Sequence, residues 1–370
     1  MKLTIKRVAL QKILEKVYEA IPIQTAEAAF KNFLLSVNES GITALGSDGT
    51  LSIQGVINIG DEDNAIINSE PGAIQVPAKY LLDIVKNLQS DIVTLNLIDD
   101  SLLCVSDELS QFQLNIAKAE EYPDLDMSSD SKEIITIKTS DYLALYNATS
   151  FAVATKGPKE LFQGINISAK DQKLTFVATD SFRLARKYIP IDGEHHVSIT
   201  VPSKTLGVVA HMDGFDYLSL VVDSNKALFK VGCFVISTKL YNGDFPNVDR
   251  IIPTATNYTL EVNAKDFIAS IGRITIVGNT KILVSGSTEQ TEISSKDVNV
   301  GSSKEVLHDA NFNGERFSII FNAIYVTDAV RALNSERVTL AFAAENRAFL
   351  VKSADESITQ VITPIRSLGD

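Results

Sequence analysis

What most constrains this chain is an order of elements that occurs three times. Leu3-Thr4-Ile5-Lys6, Ile135-Thr136-Ile137-Lys138 and Leu260-Glu261-Val262-Asn263 are short alternating segments, and each runs into apolar residues spaced three and four apart. Alternation predicts a half-buried strand, and the wider spacing predicts a helix with one apolar face. Further on, Val76-Pro77-Ala78-Lys79, Val201-Pro202-Ser203-Lys204 and Phe321-Asn322-Ala323-Ile324 each follow an apolar strand and open a second helix. The two prolines are expected in the first helical turn, where a missing N–H leaves nothing unpaired. Three strand-like runs then follow in each copy, at 92–98, 102–105 and 112–116, at 217–222, 227–231 and 234–240, and at 337–343, 348–352 and 358–362. Tyr122-Pro123, Phe245-Pro246 and Thr363-Pro364 close the copies. A chain of 370 residues exceeds one ordinary core. It reads as three homologous α+β domains, 1–126, 127–253 and 254–370.

The copies differ most at their centres. Ala178-Thr179-Asp180-Ser181-Phe182-Arg183-Leu184-Ala185 places an acid, hydroxyls, an aromatic ring and a guanidinium within one short stretch. A strand directs alternate side chains to opposite faces, so polar groups on both faces mean that the strand ends here or that something binds. The first copy matches loosely with Ser47-Asp48-Gly49-Thr50-Leu51-Ser52, Thr50 standing for Arg183, and the third with Gly286-Ser287-Thr288-Glu289-Gln290. The middle copy alone adds Phe182-Arg183-Leu184, which suggests a task that only this copy performs.

The sequence lacks the usual catalytic signatures. It has no Walker loop, no strand-linked G-x-G-x-x-G, no H-E-x-x-H and no G-x-S-x-G. His195-His196 follow Asp192-Gly193-Glu194 in a turn pattern, without further ligands at metal spacing, so no metal and no cofactor are expected. The acidic clusters Asp61-Glu62-Asp63 and Asp99-Asp100 read as charged turn tips. Cys104 and Cys233 lie in strand-like runs and read as buried thiols of a reducing compartment. With no apolar run long enough for a membrane span and no signal-peptide pattern, a cytoplasmic location is expected.

A net charge of −12 argues against a generically basic nucleic-acid binder but hides the distribution of charge. The six predicted helices, 6–20, 77–89, 140–152, 202–212, 264–275 and 323–333, are together net positive. Ordinary scatter of surface charge is one reading. The other is a shared helical surface facing a polyanion, lined by Lys12, Lys16, Lys79, Lys86, Lys204, Lys265 and Arg273, with Lys156 and Lys159 nearby; attraction to phosphates requires no base-reading side chains.

Three α+β copies, the Thr179-Asp180-Ser181-Phe182-Arg183-Leu184-Ala185 stretch, the Val-Pro-x-Lys helix starts, Asp244-Phe245-Pro246 and the closing Val361-Ile362-Thr363-Pro364-Ile365-Arg366 together resemble the bacterial DNA polymerase III beta subunit family, over essentially the whole chain. The resemblance implies a non-catalytic sliding clamp. It implies a head-to-tail homodimeric ring of six domains, helices inside and antiparallel sheets outside, around duplex DNA. It implies a protomer contact in which Ile276 and Val277 meet Phe112. It also implies a hydrophobic pocket for short peptides of the polymerase alpha subunit, the clamp loader and repair proteins. Carried over by position, the pocket residues are Thr179, Ser181, Phe182, Arg183 and Leu184; Pro246, Arg250 and Ile251; Asn322 and Tyr325; and Val361, Ile362, Thr363, Pro364, Ile365 and Arg366, with Phe162 as a further wall. An extended peptide with leucine and phenylalanine anchors suits such a slot.

The chain departs from the family pattern at named places. Phe182 stands where histidine is common, Gln24 where a DNA-facing arginine is usual, and Ala348 where Arg347-Ala348-Phe349 replaces Arg-Pro-Phe; Leu368-Gly369-Asp370 extends past the usual end. Two other classes stay open on sequence alone: an enzyme acting on an anionic substrate at Asp180 and Arg183, for which no partner base stands nearby, and a monomeric peptide-binding module that does not engage DNA.

Overall fold

A computed structural model describes residues 1–60, 65–99 and 101–366. Asp61-Glu62-Asp63, Asp100 and Leu368-Gly369-Asp370 lie outside the described residues. The first copy runs β1 (Lys2–Lys6), α1 (Arg7–Tyr18), β2 (Asn32–Val37), β3 (Gly41–Ser47), β4 (Leu51–Asn58), β5 (Ile66–Glu70), β6 (Gly72–Pro77), α2 (Ala78–Asn87), β7 (Ile92–Asp99), β8 (Leu102–Ser106), β9 (Gln111–Asn115) and a short β10 (Ala117–Lys118). The second runs β11 (Ile134–Lys138), α3 (Thr139–Thr149), β12 (Gly164–Lys170), β13 (Lys173–Thr179), β14 (Arg183–Pro190), β15 (Val197–Pro202), α4 (Ser203–Ala210), β16 (Tyr217–Val222), β17 (Lys226–Val231) and β18 (Phe234–Lys239). The third runs β19 (Tyr258–Asn263), α5 (Ala264–Ile274), β20 (Lys281–Gly286), β21 (Thr291–Asp297), β22 (Gly301–Val306), β23 (Ala310–Asn313), β24 (Phe317–Asn322), α6 (Ala323–Leu333), β25 (Arg337–Phe342), β26 (Phe349–Lys352) and β27 (Ile358–Ile362). The repeated order is therefore real, and β2-β3-β4, β12-β13-β14 and β20-β21-β22 correspond.

The chain divides into two compact units, residues 1–139 with 205–240, and 140–204 with 241–370. In the first unit, a nine-stranded sheet has the order β10-β6-β2-β3-β4-β18-β17-β16-β11, and a five-stranded sheet the order β5-β1-β7-β8-β9. The second unit holds a nine-stranded sheet, β15-β12-β13-β14-β27-β26-β25-β19-β23, and a four-stranded one, β22-β21-β20-β24. Each nine-stranded sheet is thus continuous across two copies, joined by β4 to β18 in one and by β14 to β27 in the other. Every sheet pairing is antiparallel, and the strands alternate as one buried face demands, as in β2 with Phe33, Leu35 and Val37 inward. In the second unit the apolar stripes of α5 and α6, Phe267, Ile271 and Ile274 with Val326, Ala329 and Val330, close over the sheets in one core. No described helix is long and apolar enough to cross a membrane.

Four expectations change. Pro77 and Pro202 end strands β6 and β15, paired opposite Asn32 and Gly164, and Pro77 caps α2 from outside rather than sitting in its first turn. Cys233 lies in the turn between β17 and β18 and is half-buried, whereas Cys104 is buried in β8. The residue matching Arg183 is Leu51, not Thr50: Asp48 and Asp180 each accept from the amides two and three residues on, so Thr50 corresponds to Phe182. In the third copy the corresponding turn is not 286–290. Strand order places it between β21 and β22, where Asp297 accepts from the amides of Asn299 and Val300. Side-chain-capped turns of this kind occur at many hairpins, so only the strand pairing identifies the equivalent one.

Candidate functional site

The turn between β13 and β14 is held by its own side chains. Thr179 Oγ1 donates to the Arg183 carbonyl at 2.7 Å and accepts from the Ser181 amide, and Asp180 Oδ1 accepts from the Phe182 and Arg183 amides at 2.8 and 2.9 Å. Ser181 has a φ of 79°, a left-handed conformation that Gly49, its counterpart, adopts at 86°. The C-terminal segment clamps the turn from the other side, because both the amide and Oγ1 of Thr363 donate to the Phe182 carbonyl at 2.8 Å. Phe182 is thereby held outward at 58% exposure, its ring stacked on Tyr325 at 6.4 Å.

Arg183 is fixed on four sides. Its Nε donates to Asp180 Oδ2 at 3.0 Å and its Nη1 to Asp328 Oδ2 at 2.7 Å, while its guanidinium lies 4.6 Å from the Tyr325 ring and 5.5 Å from that of Phe151. A planar, always-charged group suits two carboxylates and two ring faces at once. Burial pushes the Tyr325 hydroxyl up from its ordinary value, and the nearby Asp180 carboxylate adds to this against the opposing charge of Arg183. Asp328 and Phe151 also line a polar cleft of about 930 Å³ between α3 and α6, together with Lys187 and Asp355, themselves paired at 2.9 Å.

Beside the turn lies a cavity of about 700 Å³. Its floor is apolar: Leu184 and Val361 are cross-strand partners on β14 and β27, packed with Val177, Ala341 and Leu350. Phe162 and Phe245 meet edge to face at 6.1 Å at one end. Of the expected pocket residues, Phe162, Thr179, Ser181, Phe182, Arg183, Leu184, Pro246, Arg250, Ile251, Val361 and Thr363 line this cavity. Asn322, Tyr325, Ile362, Pro364, Ile365 and Arg366 do not. Asn322 caps α6 through the Ile324 amide, Tyr325 acts through Phe182 and Arg183, and the Ile365 amide donates to the Ile320 carbonyl. Ile362 is fully buried in the helix-facing core, since it neighbours Val361 on a strand and must point the other way. Walls missed in the sequence are Asn247, Val248, Ile252, Pro253, Thr254, Ala255, Ala343, Arg347 and Ala348. The apolar run Ile251-Ile252-Pro253 was the available signal for part of them.

The candidate phosphate-facing cations differ in what they contact. Lys16 is bound to Asp213 at 3.1 Å and to the His211 carbonyl, Lys86 to Glu15 at 3.1 Å, and Arg273 to Glu305 at 2.6 Å. Lys12 and Lys159 lie over the Phe215 and Phe162 rings. Lys79, Lys156, Lys204 and Lys265 are exposed. The Arg273 guanidinium, with the Ser270 hydroxyl, holds the Glu305 carboxyl at about 2. Phe112 stands 42% exposed on β9, Ile276 is 78% exposed beyond α5, and Val277 is half-buried. Among the described residues no group of three or more His, Cys, Asp or Glu side chains is placed to hold a metal ion.

Comparison with known proteins bears on the whole chain. Family models described as the DNA polymerase III beta subunit N-terminal, central and C-terminal domains match residues 1–126, 136–247 and 249–366. The beta sliding clamp of Bacillus subtilis is 27% identical over 99% of this chain and 100% of its own. A crystal structure of the Bacillus subtilis sliding clamp superposes with a TM-score of 0.94 at 26% identity, covering 99% of both chains, and the Pseudomonas aeruginosa beta subunit with 0.92 at 26%, covering 99% of this chain and 100% of that one. The three matched segments follow the three copies read from the strand order, and the chain belongs to the DNA polymerase III beta subunit family, the non-catalytic sliding clamps of DNA replication.

Proposed function

We propose that two copies of this chain close head to tail into a ring around duplex DNA, and that the cavity beside Arg183 receives short peptides of the proteins the ring tethers. The observation that carries the reading is the pair of unmatched sheet edges. Within the chain, the third strand of one copy's β2-β3-β4 set joins the last strand of the next copy, β4 to β18 and β14 to β27. The remaining members of these two classes are β22 and β9, the edges of the four- and five-stranded sheets. Joined between protomers, they would form a third sheet like the second unit's, and cover edges that are otherwise open to indiscriminate pairing. Phe112 lies on β9, and Val277 sits beside Gly301 at the start of β22, so the candidate contact residues belong to these two edges.

Three clamp domains, 1–126, 127–253 and 254–370, then make a six-domain ring. Lys12, Lys16, Lys79, Lys86, Lys156, Lys159, Lys204, Lys265 and Arg273 are its proposed phosphate-facing cations, acting without sequence preference. A replicative polymerase, a clamp loader and repair proteins of the cytoplasm are the proposed peptide donors. The apolar floor under Leu184 and Val361, with a rim of Arg183, Arg250 and Arg347, suits an extended segment with aliphatic and aromatic anchors and an acidic or carbonyl-rich backbone path.

Light scattering at micromolar concentration should give the mass of a dimer, and protein loaded on nicked circular DNA should stay through a high-salt wash and leave once the circle is cut. A monomer, or retention indifferent to cutting, would overturn the ring.

A further inference from the structure

We propose that the exposed edge of β11 is a second docking site, which accepts an extended acidic segment of a partner protein as an added antiparallel strand. The argument starts from the two other copies. In the first, β1 has β7 on one side and β5 on the other; in the third, β19 has β25 and β23. Among the described residues the second copy has no such covering strand, and β11 ends its sheet with β16 on one side only. Its connection 191–196 leads from β14 to β15 with no strand in it.

The backbone phase of β11 matches that of β1. Hydrogen bonds from the Thr139 amide to Asp216 and from the Val222 amide to Glu133 set the alternation, so Ile135 and Ile137 bond to β16 while Ile134, Thr136 and Lys138 point their amides and carbonyls outward. The corresponding residues of β1 are Lys2, Thr4 and Lys6, which pair with β5, the Lys6 amide donating to Ala65 at 2.8 Å. The two strands are nearly the same sequence, Lys-Leu-Thr-Ile-Lys and Ile-Ile-Thr-Ile-Lys. A strand that suits β1 therefore meets in β11 the same hydroxyl, the same buried isoleucine and the same terminal lysine.

The surface around the edge is also shaped for a partner. Ile134 is 48% and Tyr217 56% exposed, and Lys138 and Lys230 stand exposed on the same face with no ion pair among the described residues. Edge strands are commonly blunted by charge or proline, but an isoleucine replaces the first lysine of β1 here. Charge complementarity selects a segment with an acidic residue opposite Lys138 and an aliphatic one toward Ile134, a form of strand addition that relies on main-chain bonds for affinity.

A synthetic peptide with the sequence of residues 65–70 but with Ile in place of the final Glu, which the β1 register sets opposite Ile134, and a second that also begins with Glu instead of Ala, provide the test on the full chain. The expected result is saturable binding that slows exchange of the Ile134, Thr136 and Lys138 amides, with the Glu-first peptide binding about threefold tighter at low salt. Thr136→Pro removes an outward N–H and no bond to β16, so it should weaken binding about tenfold or more at unchanged melting temperature. Should that variant fold poorly, Lys138→Glu should abolish the advantage of the Glu-first peptide. Protection that falls instead on Arg183 and Leu184, no protection at all, unaltered binding to both variants, or self-association through this edge without peptide would each overturn the proposal.

Discussion

The two places where one copy's sheet continues into the next share a scaffold and differ in what fills it. At both, a Ser or Thr hydroxyl and an Asp carboxylate tie the turn before the joining strand, through Ser47 and Asp48 in one and Thr179 and Asp180 in the other. At both, an aromatic pair stands beside the turn at 6.1 Å and nearly the same angle, Phe30 with Tyr122 and Phe162 with Phe245. Yet in the first the cross-strand pair is Ser52 with Ser237, and the linker's Leu125 and Met127 pack onto the aromatic cluster. In the second the pair is Leu184 with Val361, the linker forms a wall, and a cavity remains. Arg183 replaces the fully buried Leu51. One junction is thus plugged by its own linker, whereas at the other the linker's Val248 and Ile252 pack against the apolar floor and still leave a cavity, which is how a repeat acquires a site without changing its backbone.

The largest expected effect follows from making the second junction resemble the first. Arg183→Leu leaves the Asp180 and Asp328 carboxylates without their common partner. Breaking such a pair costs about 3 kcal/mol, the lower end of the range for buried ion pairs because Asp328 keeps 30% exposure. Calorimetry should show this as a lower melting temperature, and titration of a peptide with leucine and phenylalanine anchors should show weakened binding. An unchanged melting temperature would mean that the arginine is held but holds nothing.

Filling and emptying test the plug. Ala348→Phe places a large side chain on the cavity floor, as Met127 does in the first copy, and should reduce peptide affinity about a hundredfold while costing little stability. Leu125→Ala at the first junction should destabilise by about 1 kcal/mol, less than a fully buried leucine, since Leu125 is half-buried. Peptide binding that survives Ala348→Phe would place the binding site elsewhere.

How much of this the sequence carried depends on the kind of evidence. Periodicity located the elements, and 217–222, 323–333 and 358–362 match the observed bounds. It set the third copy's turn at 286–290 when the equivalent one is at Asp297, because Ser287 and Asp297 both accept backbone hydrogen bonds locally and only the pairing of β21 with β22 separates them. Val361 and Ile362 are equally apolar, and the strand's period of two sends one to the cavity and the other to the core. The walls at Ala343, Arg347 and Ala348 arise from the β25-β26 hairpin lying beside β27, a long-range register. Likewise the ion pairs of Lys16, Lys86 and Arg273 with Asp213, Glu15 and Glu305 are set by the fold and could not be read from spacing.

The turn itself gives a smaller, paired test. Gly49→Ser should cost about 1 kcal/mol, because a side chain is disfavoured at a φ of 86° and its Cβ would lie 3.1 Å from the Phe30 ring. Ser181→Gly at the matching position should be neutral or stabilising by about 0.5 kcal/mol and leave peptide binding intact. Effects of the same sign would show that the two turns are not equivalent in energy despite sharing their hydrogen bonds.

The smallest effect concerns what seats the plug. Asp126, between Leu125 and Met127, accepts from Lys226 Nζ, and that bond, followed by those from the Ser128 amide and hydroxyl, lowers its carboxyl from 3.8 to about 2. A carboxyl depressed in the folded state favours folding fully above its unfolded value, and the contribution fades as pH falls from about 3.8 through about 2. Because the group is solvent-exposed the effect is slight and sensitive to salt. The second linker offers a contrast, since Asp249 there bonds to Arg186 at 2.7 Å at 72% exposure and holds a wall rather than a plug. Asp126→Asn should therefore flatten the acid dependence of amide exchange at Leu125 and Met127 between pH 4 and about 2 while leaving exchange at Arg250 and Ile251 unaltered. If both linkers loosen together in acid with Asp126→Asn, the seating of the first would depend on the whole sheet rather than on this one bond.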